Sequence, residues 1–72
     1  MTRLPVCTPK KTCRALERAG FRLVRQRGSH RVYEKGTRHV TVPYHSRDLK
    51  RGTLKAILEQ AGIDPRTFLQ FL

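Results

Sequence analysis

The amino-acid sequence predicts an α+β fold, a two-layer α-β-β-β-α sandwich with a short C-terminal helix. The chain has 72 residues, which suffice for one small hydrophobic core, so we expect residues 1–72 to form a single domain. A segment with helical periodicity is followed by three segments with strand alternation and then by a second helical segment. Glycine and proline occur where these elements would begin or end.

The first helix is bounded by Thr8-Pro9 at its start and by Gly20 at its end. Thr8 is a typical N-cap, and proline suits the first helical position because its fixed φ matches the helix. Glycine commonly follows the last helical residue. The sequence therefore predicts a helix over about Pro9 to Ala19.

This helix has two different faces when its residues are spaced at about 100° each. One half of the wheel carries small or apolar side chains: Thr12, Cys13, Ala15, Leu16 and Ala19. The basic stripe consists of Lys10, Lys11, Arg14 and Arg18. We expect the first face to join the core, and the stripe either to bind an anion or to be an ordinary solvated helix face.

From Phe21 the apolar period changes to two, which is typical of β-strands. The segments FRLVRQ, HRVYEK and RHVTVP are separated by the turn formers RGS and GT. Short connections of this kind join antiparallel neighbours, so we expect a three-stranded meander whose third strand stops at Pro43.

After the loop YHSRDLKRG, the segment TLKAILEQAG predicts a second amphipathic helix closed by Gly62. Its apolar residues have helical spacing: Leu54, Ile57, Leu58 and Ala61.

Asp64-Pro65 repeats the cap-and-proline pattern and predicts a short terminal helix, whose apolar side chains should find apolar neighbours or a partner: Phe68, Leu69 and Leu72. Both long helices should cover one face of the sheet. This element order resembles that of double-stranded RNA-binding domains.

The charge of the chain predicts a polyanionic partner. Sixteen Lys and Arg residues stand against five Asp and Glu residues, which gives a formal net charge of +11 and a pI near 11.2. Nucleic acid is the commonest such partner, although an acidic protein would also suit. No apolar run of about 18 residues and no signal-peptide pattern occurs, so we expect a cytoplasmic protein without membrane association.

Neither a metal nor another cofactor is expected. Cys7 and Cys13 lack the C-x2-C spacing of zinc sites, and we expect both to be reduced thiols. His39 and His45 have a spacing seen in zinc sites but no matching cysteine pair. Five acidic residues and the lack of a phosphate-binding glycine loop also argue against a two-metal nuclease.

The stretch RQRGSHRVYE places His30 directly after the predicted Gly28-Ser29 turn. Glycine accepts the positive φ of a tight hairpin, and serine suits a turn. The residue could be an ordinary solvated histidine. Histidine, however, is the side chain whose ordinary pKa, about 6.5, allows proton transfer near neutral pH. Guanidinium groups, which hold phosphate oxygens well, are expected to surround it: Arg25, Arg27 and Arg31. Metal-free cleavage of RNA needs only such a base and such cations.

The sequence KKTCRALERAGFRLVRQRGSHRVYEKG, followed by VTVPYHSRDLKRGTLKAILEQAGID, resembles the HicA toxins of bacterial toxin–antitoxin modules, small ribonucleases that cleave messenger RNA. The resemblance covers about Thr8 to Asp64 and leaves out Met1 to Cys7. Its specific parts are Gly20-Phe21, Gly28-Ser29-His30 with Tyr33, Pro43-x-His45, Gly52-Thr53-Leu54, Ile57-Leu58 and Ala61-Gly62. Several positions that are often lysine in these toxins are arginine here.

The resemblance implies a fold like a double-stranded RNA-binding domain, catalysis by His30, and an acidic HicB-like antitoxin as partner. We expect contacts to the messenger RNA from Lys10, Lys11, Arg14, Arg27, Ser29 and Arg31. His45 and Tyr33 are further candidates for a direct role in catalysis or substrate binding. The simpler interpretations are loop packing or helix capping for His45 and packing within the sheet for Tyr33. Two other functions remain open at this point: a non-catalytic double-stranded RNA-binding module, and a basic scaffold that docks on an acidic protein.

Overall fold

A helix, three strands and two further helices follow one another in the computed structural model, which describes residues 3–72. The elements are α1 (Pro9–Arg18), β1 (Arg22–Arg27), β2 (His30–Lys35), β3 (Arg38–Pro43), α2 (Arg51–Ala61) and α3 (Pro65–Gln70). The strands form one antiparallel sheet in the order β1-β2-β3. The predicted α+β fold class is confirmed. The single-domain prediction included residues 1 and 2, which lie outside the described residues.

The start of α1 has the predicted cap. The Thr8 Oγ1 accepts a hydrogen bond from the Lys11 N–H at 3.2 Å, and Pro9 occupies the first turn. The helix ends at Arg18 with Ala19 as its C-cap, within one residue of the predicted end. The predicted core face is buried, except for the partly buried Ala19. The Thr12 hydroxyl is accommodated there because it donates to the Thr8 carbonyl at 2.9 Å.

β1 differs from the prediction in two ways. The strand begins at Arg22, while Phe21 turns into the core and is 4% exposed. The pairing with β2 also shifts between Leu23 and Arg25, so Val24 is the extra residue of a β-bulge. The strict alternation expected along this strand is therefore wrong, because a bulge moves the residues that follow it to the other face.

The second half of the chain closes the fold. α2 begins at Arg51, two residues earlier than predicted, and ends at Ala61, with Gly62 (φ +68°) as its C-cap. The N-cap of α3 is Asp64, whose carboxylate accepts from the Arg66 N–H at 3.0 Å. No helix within residues 3–72 is long and apolar enough to cross a membrane.

The core lies between one face of the sheet and the helices. The inner face of the sheet contributes Tyr33, Val40 and Val42 to the core, all 0% exposed. The helices and their connections contribute Cys13, Ala15, Leu16, Phe21, Leu49, Leu54, Ile57, Leu58, Ala61 and Phe68. Of the apolar residues predicted near the C-terminus, Phe68 is buried, whereas Leu69 and Leu72 remain 39% and 44% exposed.

Three cationic side chains cap the carbonyl ends of the three helices. Lys35 donates to the Ala19 carbonyl after α1 at 2.6 Å, and Arg38 donates to the Gln60 carbonyl in α2 at 3.3 Å. Arg18 donates to the Phe71 carbonyl after α3 at 2.7 Å. Positive charge at a helix C-terminus is favourable, so part of the net charge of the chain stabilises the fold.

Candidate functional site

His30 is the first residue of β2 and its side chain is exposed. It lies directly opposite Arg27 across the hairpin and opposite Pro43 on β3. The intervening Gly28 has φ +57°, which allows the two-residue turn. The Ser29 carbonyl accepts a hydrogen bond from the Tyr44 N–H, which joins the turn to the chain that leaves β3. The backbone around His30 is therefore held on both sides.

The side chain of His30 belongs to the face of the sheet that is turned away from the helices. Tyr33 points into the core, and alternation along β2 places His30, Val32 and Glu34 on the opposite face. Because of the bulge in β1, three arginines share this outer face through their pairing with β2: Arg22 opposite Glu34, Arg25 opposite Val32 and Arg27 opposite His30. All three arginines are exposed.

Arg22 was missed by the sequence reasoning. A strand that alternates strictly from Arg27 backwards would place Arg22 on the helix side, together with Gln26. The only hint in the sequence is the adjacent apolar pair Leu23-Val24, which breaks the alternation. A one-residue bulge is decided by the pairing with the neighbouring strand, so the local sequence does not reveal it.

Arg31 does not accompany His30, contrary to the expectation that it surrounds the histidine. It follows His30 on β2 and therefore points to the helix side, where its Cζ lies 3.7 Å from the centre of the Tyr44 ring. Its Nε is buried and makes no hydrogen bond to any described residue. The nearby Tyr33 hydroxyl raises the pKa of the Arg31 guanidinium. Arg31 therefore remains charged and is fixed against an aromatic ring.

Tyr33 packs in the core and has no exposed surface with which to stack on a base. Its hydroxyl donates to the Glu17 Oε2 at 3.4 Å. Burial raises the pKa of Tyr33 above its ordinary value and also raises the pKa of the nearby Cys13 thiol. Cys7 and Cys13 are both buried and form no disulfide with each other. The raised pKa makes the Cys13 thiol less reactive.

The basic stripe of α1 is exposed. It lies in the helix layer, on the opposite side of the sheet from the outer face. Lys11, Arg14 and Arg18 border a groove of about 340 Å³ that is also lined by Val6 and Leu72. Lys10 lines a different groove, together with Tyr44 and His45. The predicted site residues thus fall into two groups. Arg27, Ser29 and His30 lie at the hairpin, whereas Lys10, Lys11, Arg14 and Arg31 belong to the helix side.

The two other histidines have local partners. On β3 the exposed His39 contacts Glu34 through its Nδ1, at 2.9 Å from the Oε2. In the loop after β3, the His45 Nδ1 accepts a hydrogen bond from the Arg47 N–H at 3.2 Å. Among residues 3–72 no group of three or more His, Cys, Asp and Glu side chains is placed to hold a metal ion.

The chain matches a known protein family. A family described as HicA toxin of bacterial toxin-antitoxin matches residues 9–63. This range runs from the first residue of α1 through the sheet and α2, and it includes every residue predicted for the site. No curated protein matches the chain.

Proposed function

The chain belongs to the HicA toxin family of bacterial toxin–antitoxin systems, and we propose that it is a metal-independent endoribonuclease that cleaves messenger RNA at His30. The observation that carries the proposal is the position of this histidine. It is exposed at the end of a hairpin whose backbone is held by both neighbouring strands, and Arg27 stands directly opposite. A reactive side chain on a rigid element keeps its geometry better than one on a free loop.

The chemistry requires one proton acceptor and several cations. The His30 imidazole takes the proton of a ribose 2′-OH, whose oxygen then attacks the adjacent phosphorus. The bond from phosphorus to the 5′-oxygen breaks, and that oxygen takes up a proton from water. The products are a 2′,3′-cyclic phosphate and a new 5′-hydroxyl end. Because DNA lacks the attacking hydroxyl, this route is specific for RNA.

The arginines of β1 are suited to holding the phosphate during this reaction. Directly opposite residues of an antiparallel pair have Cβ atoms about 4.5–5.5 Å apart, and diagonal neighbours are about 7–8 Å apart. Arg27 is the direct neighbour of His30 on the outer face, and Arg25 is the diagonal one. A guanidinium group binds two phosphate oxygens at once, so both residues can stabilise the charge that develops in the transition state.

Membership of a toxin–antitoxin family implies a cognate antitoxin. We propose a HicB-like acidic protein that covers the outer face around His30. Support comes from the charge of this surface, where Arg22, Arg25 and Arg27 are exposed and the one carboxylate of Glu34 is already in contact with His39. An antitoxin that places carboxylates here would block the approach of the phosphate.

The proposal is tested by incubating the purified chain with a single-stranded transcript in EDTA. We expect wild-type protein to cleave it, and His30→Ala to lose cleavage while keeping its fold, because an exposed imidazole contributes little to packing. His39→Ala is the matched control, since His39 is also an exposed strand histidine of the outer face, and it should cleave normally. A transcript with 2′-deoxy residues should resist cleavage.

Two results would overturn the proposal. A folded His30→Ala protein with wild-type cleavage would remove the histidine from the chemistry. Wild-type protein that binds RNA without cutting it would instead favour the non-catalytic RNA-binding module that the fold also permits.

A further inference from the structure

A groove on the helix side of the molecule has no role in the chemistry described above. It has a volume of about 410 Å³ and is lined by Thr8, Lys10, Tyr44, His45 and Ser46. These residues come from the start of α1 and from the segment that follows β3. The Tyr44 N–H donates to the Ser29 carbonyl, so the groove begins where the His30 hairpin ends.

The side chains of this groove favour an anion that carries a flat ring. Lys10 supplies positive charge, and no acidic residue lines the groove. The His45 Nδ1 accepts a hydrogen bond from the Arg47 N–H, so the ring proton of the neutral imidazole lies on Nε2 and is free to be donated. Ser46 and Tyr44 add hydroxyl groups.

Tyr44 is fixed as an aromatic platform. The Arg31 guanidinium lies over its ring at 3.7 Å from the centre, and the same guanidinium has a buried Nε without a partner among residues 3–72. Tyr44 is only half-buried and borders the groove. Base stacking on an aromatic side chain is the common way in which proteins hold single-stranded RNA.

We propose that this groove is a nucleotide-binding subsite next to the cleavage site, in which Tyr44 stacks on a base while Lys10 and His45 bind a neighbouring phosphate. The inference rests on the proposed RNA-cleaving function. It assigns Arg31 a positioning role, because that residue holds the Tyr44 ring from the side of the sheet. An RNA strand bound here passes around the hairpin from the helix side to the outer face.

The test measures binding without cleavage. His30→Ala protein is titrated into a labelled single-stranded RNA oligonucleotide and into the same oligonucleotide with one abasic position, moved along the strand. We expect one abasic position to weaken binding about tenfold. In His30→Ala protein that also carries Tyr44→Leu, that position should no longer matter. Tyr44→Phe keeps the ring and should keep the difference between the two oligonucleotides.

A second pair of variants avoids any effect of Tyr44 on packing. Lys10→Gln and His45→Gln alter exposed side chains and should each weaken RNA binding several-fold, whereas Lys55→Gln on the exposed face of α2 should not.

Equal affinity of all these variants for RNA would overturn the subsite, even if wild-type protein cleaves RNA. Variants that bind RNA normally but lose affinity for an acidic protein would also overturn it and make the groove a protein-docking site. Loss of cleavage alone in His30→Ala bears on the proposed function and not on this subsite.

Discussion

At the scale of single residues, packing between the sheet and the helices buries two ionisable side chains. Tyr33 is fully buried, and its hydroxyl reaches Glu17 on α1. Cys13 lies in the same region and is 3% exposed. Burial disfavours the ionised forms of tyrosine and cysteine. The pKa values of both groups are therefore raised in the folded protein.

These raised pKa values predict that the fold loses stability in alkali. The folded chain keeps protons that the unfolded chain gives up near the ordinary values of 9.0 for cysteine and 10.0 for tyrosine. The free energy of unfolding should therefore fall as the pH rises through this range, by at most about 1.4 kcal/mol per pH unit for each group.

Urea unfolding between about pH 8 and about pH 10.5 measures this slope. Tyr33→Phe should be less stable at neutral pH, because the bond to Glu17 is lost, but its stability should fall less steeply near the upper end. Cys13→Ala should reduce the slope at the lower end. A Tyr33→Phe protein with the full wild-type slope would show that Tyr33 ionises equally easily in both states.

At the scale of secondary-structure elements, β1 and α1 carry two different basic surfaces. The bulge at Val24 gathers Arg22, Arg25 and Arg27 on the outer face. The stripe of α1 lies in the helix layer beside the groove of Val6 and Leu72. Two layers of one small sandwich thus carry separate cationic surfaces, and the surface of β1 is the one that shares the outer face with His30.

The salt dependence of RNA binding identifies which element contacts phosphates. Each lost phosphate contact lowers the slope of log K against log salt by about 0.7 for single-stranded nucleic acid. In the His30→Ala background, replacing Arg25 and Arg27 with glutamine should lower the slope by about 1.4. Replacing Lys11 and Arg14 with glutamine removes the same charge from α1.

We expect the α1 pair to lower the slope as well, because both residues were predicted to contact RNA, but to leave cleavage of bound RNA intact. The β1 pair should reduce both binding and the rate of cleavage at saturating RNA. An unchanged slope for either pair of substitutions would show that RNA phosphates do not contact that element.

At the scale of the whole molecule, the net charge of +11 governs association with partners. Part of this charge stabilises the fold, since Lys35, Arg38 and Arg18 cap helix ends. Apart from the half-buried Arg31, the other Lys and Arg side chains are exposed. A surface of one sign attracts an oppositely charged partner over a distance, and salt screens this attraction.

Binding of an acidic antitoxin should therefore depend on salt mainly through its association rate. Raised salt should slow association more than it speeds dissociation in a stopped-flow or surface-binding experiment. If the antitoxin covers the hairpin as proposed, amide hydrogen exchange over residues 27–33 should slow in the complex, and the complex should not cleave RNA. Unchanged exchange in this segment, or a complex that cleaves at the rate of the free chain, would place inhibition elsewhere.

The sequence by itself determined the order of the elements, the bounds of most of them to within two residues, the two-residue turn before His30 and the family. These features depend on interactions within a few residues. Thr8 caps the helix that follows it, and Gly28 supplies the positive φ of its own turn. The spacing of apolar residues marks the buried face of an element, whichever element packs against that face.

The tertiary structure decided which side chains meet. The shift in pairing at Val24 puts Arg22 on the face of His30, while alternation along β2 sends Arg31 away to Tyr44. The groove of Lys10, Tyr44 and His45 likewise joins the start of α1 to the segment after β3. Strand register and contacts between distant segments follow from the packing of the whole core, so no local sequence pattern encodes them.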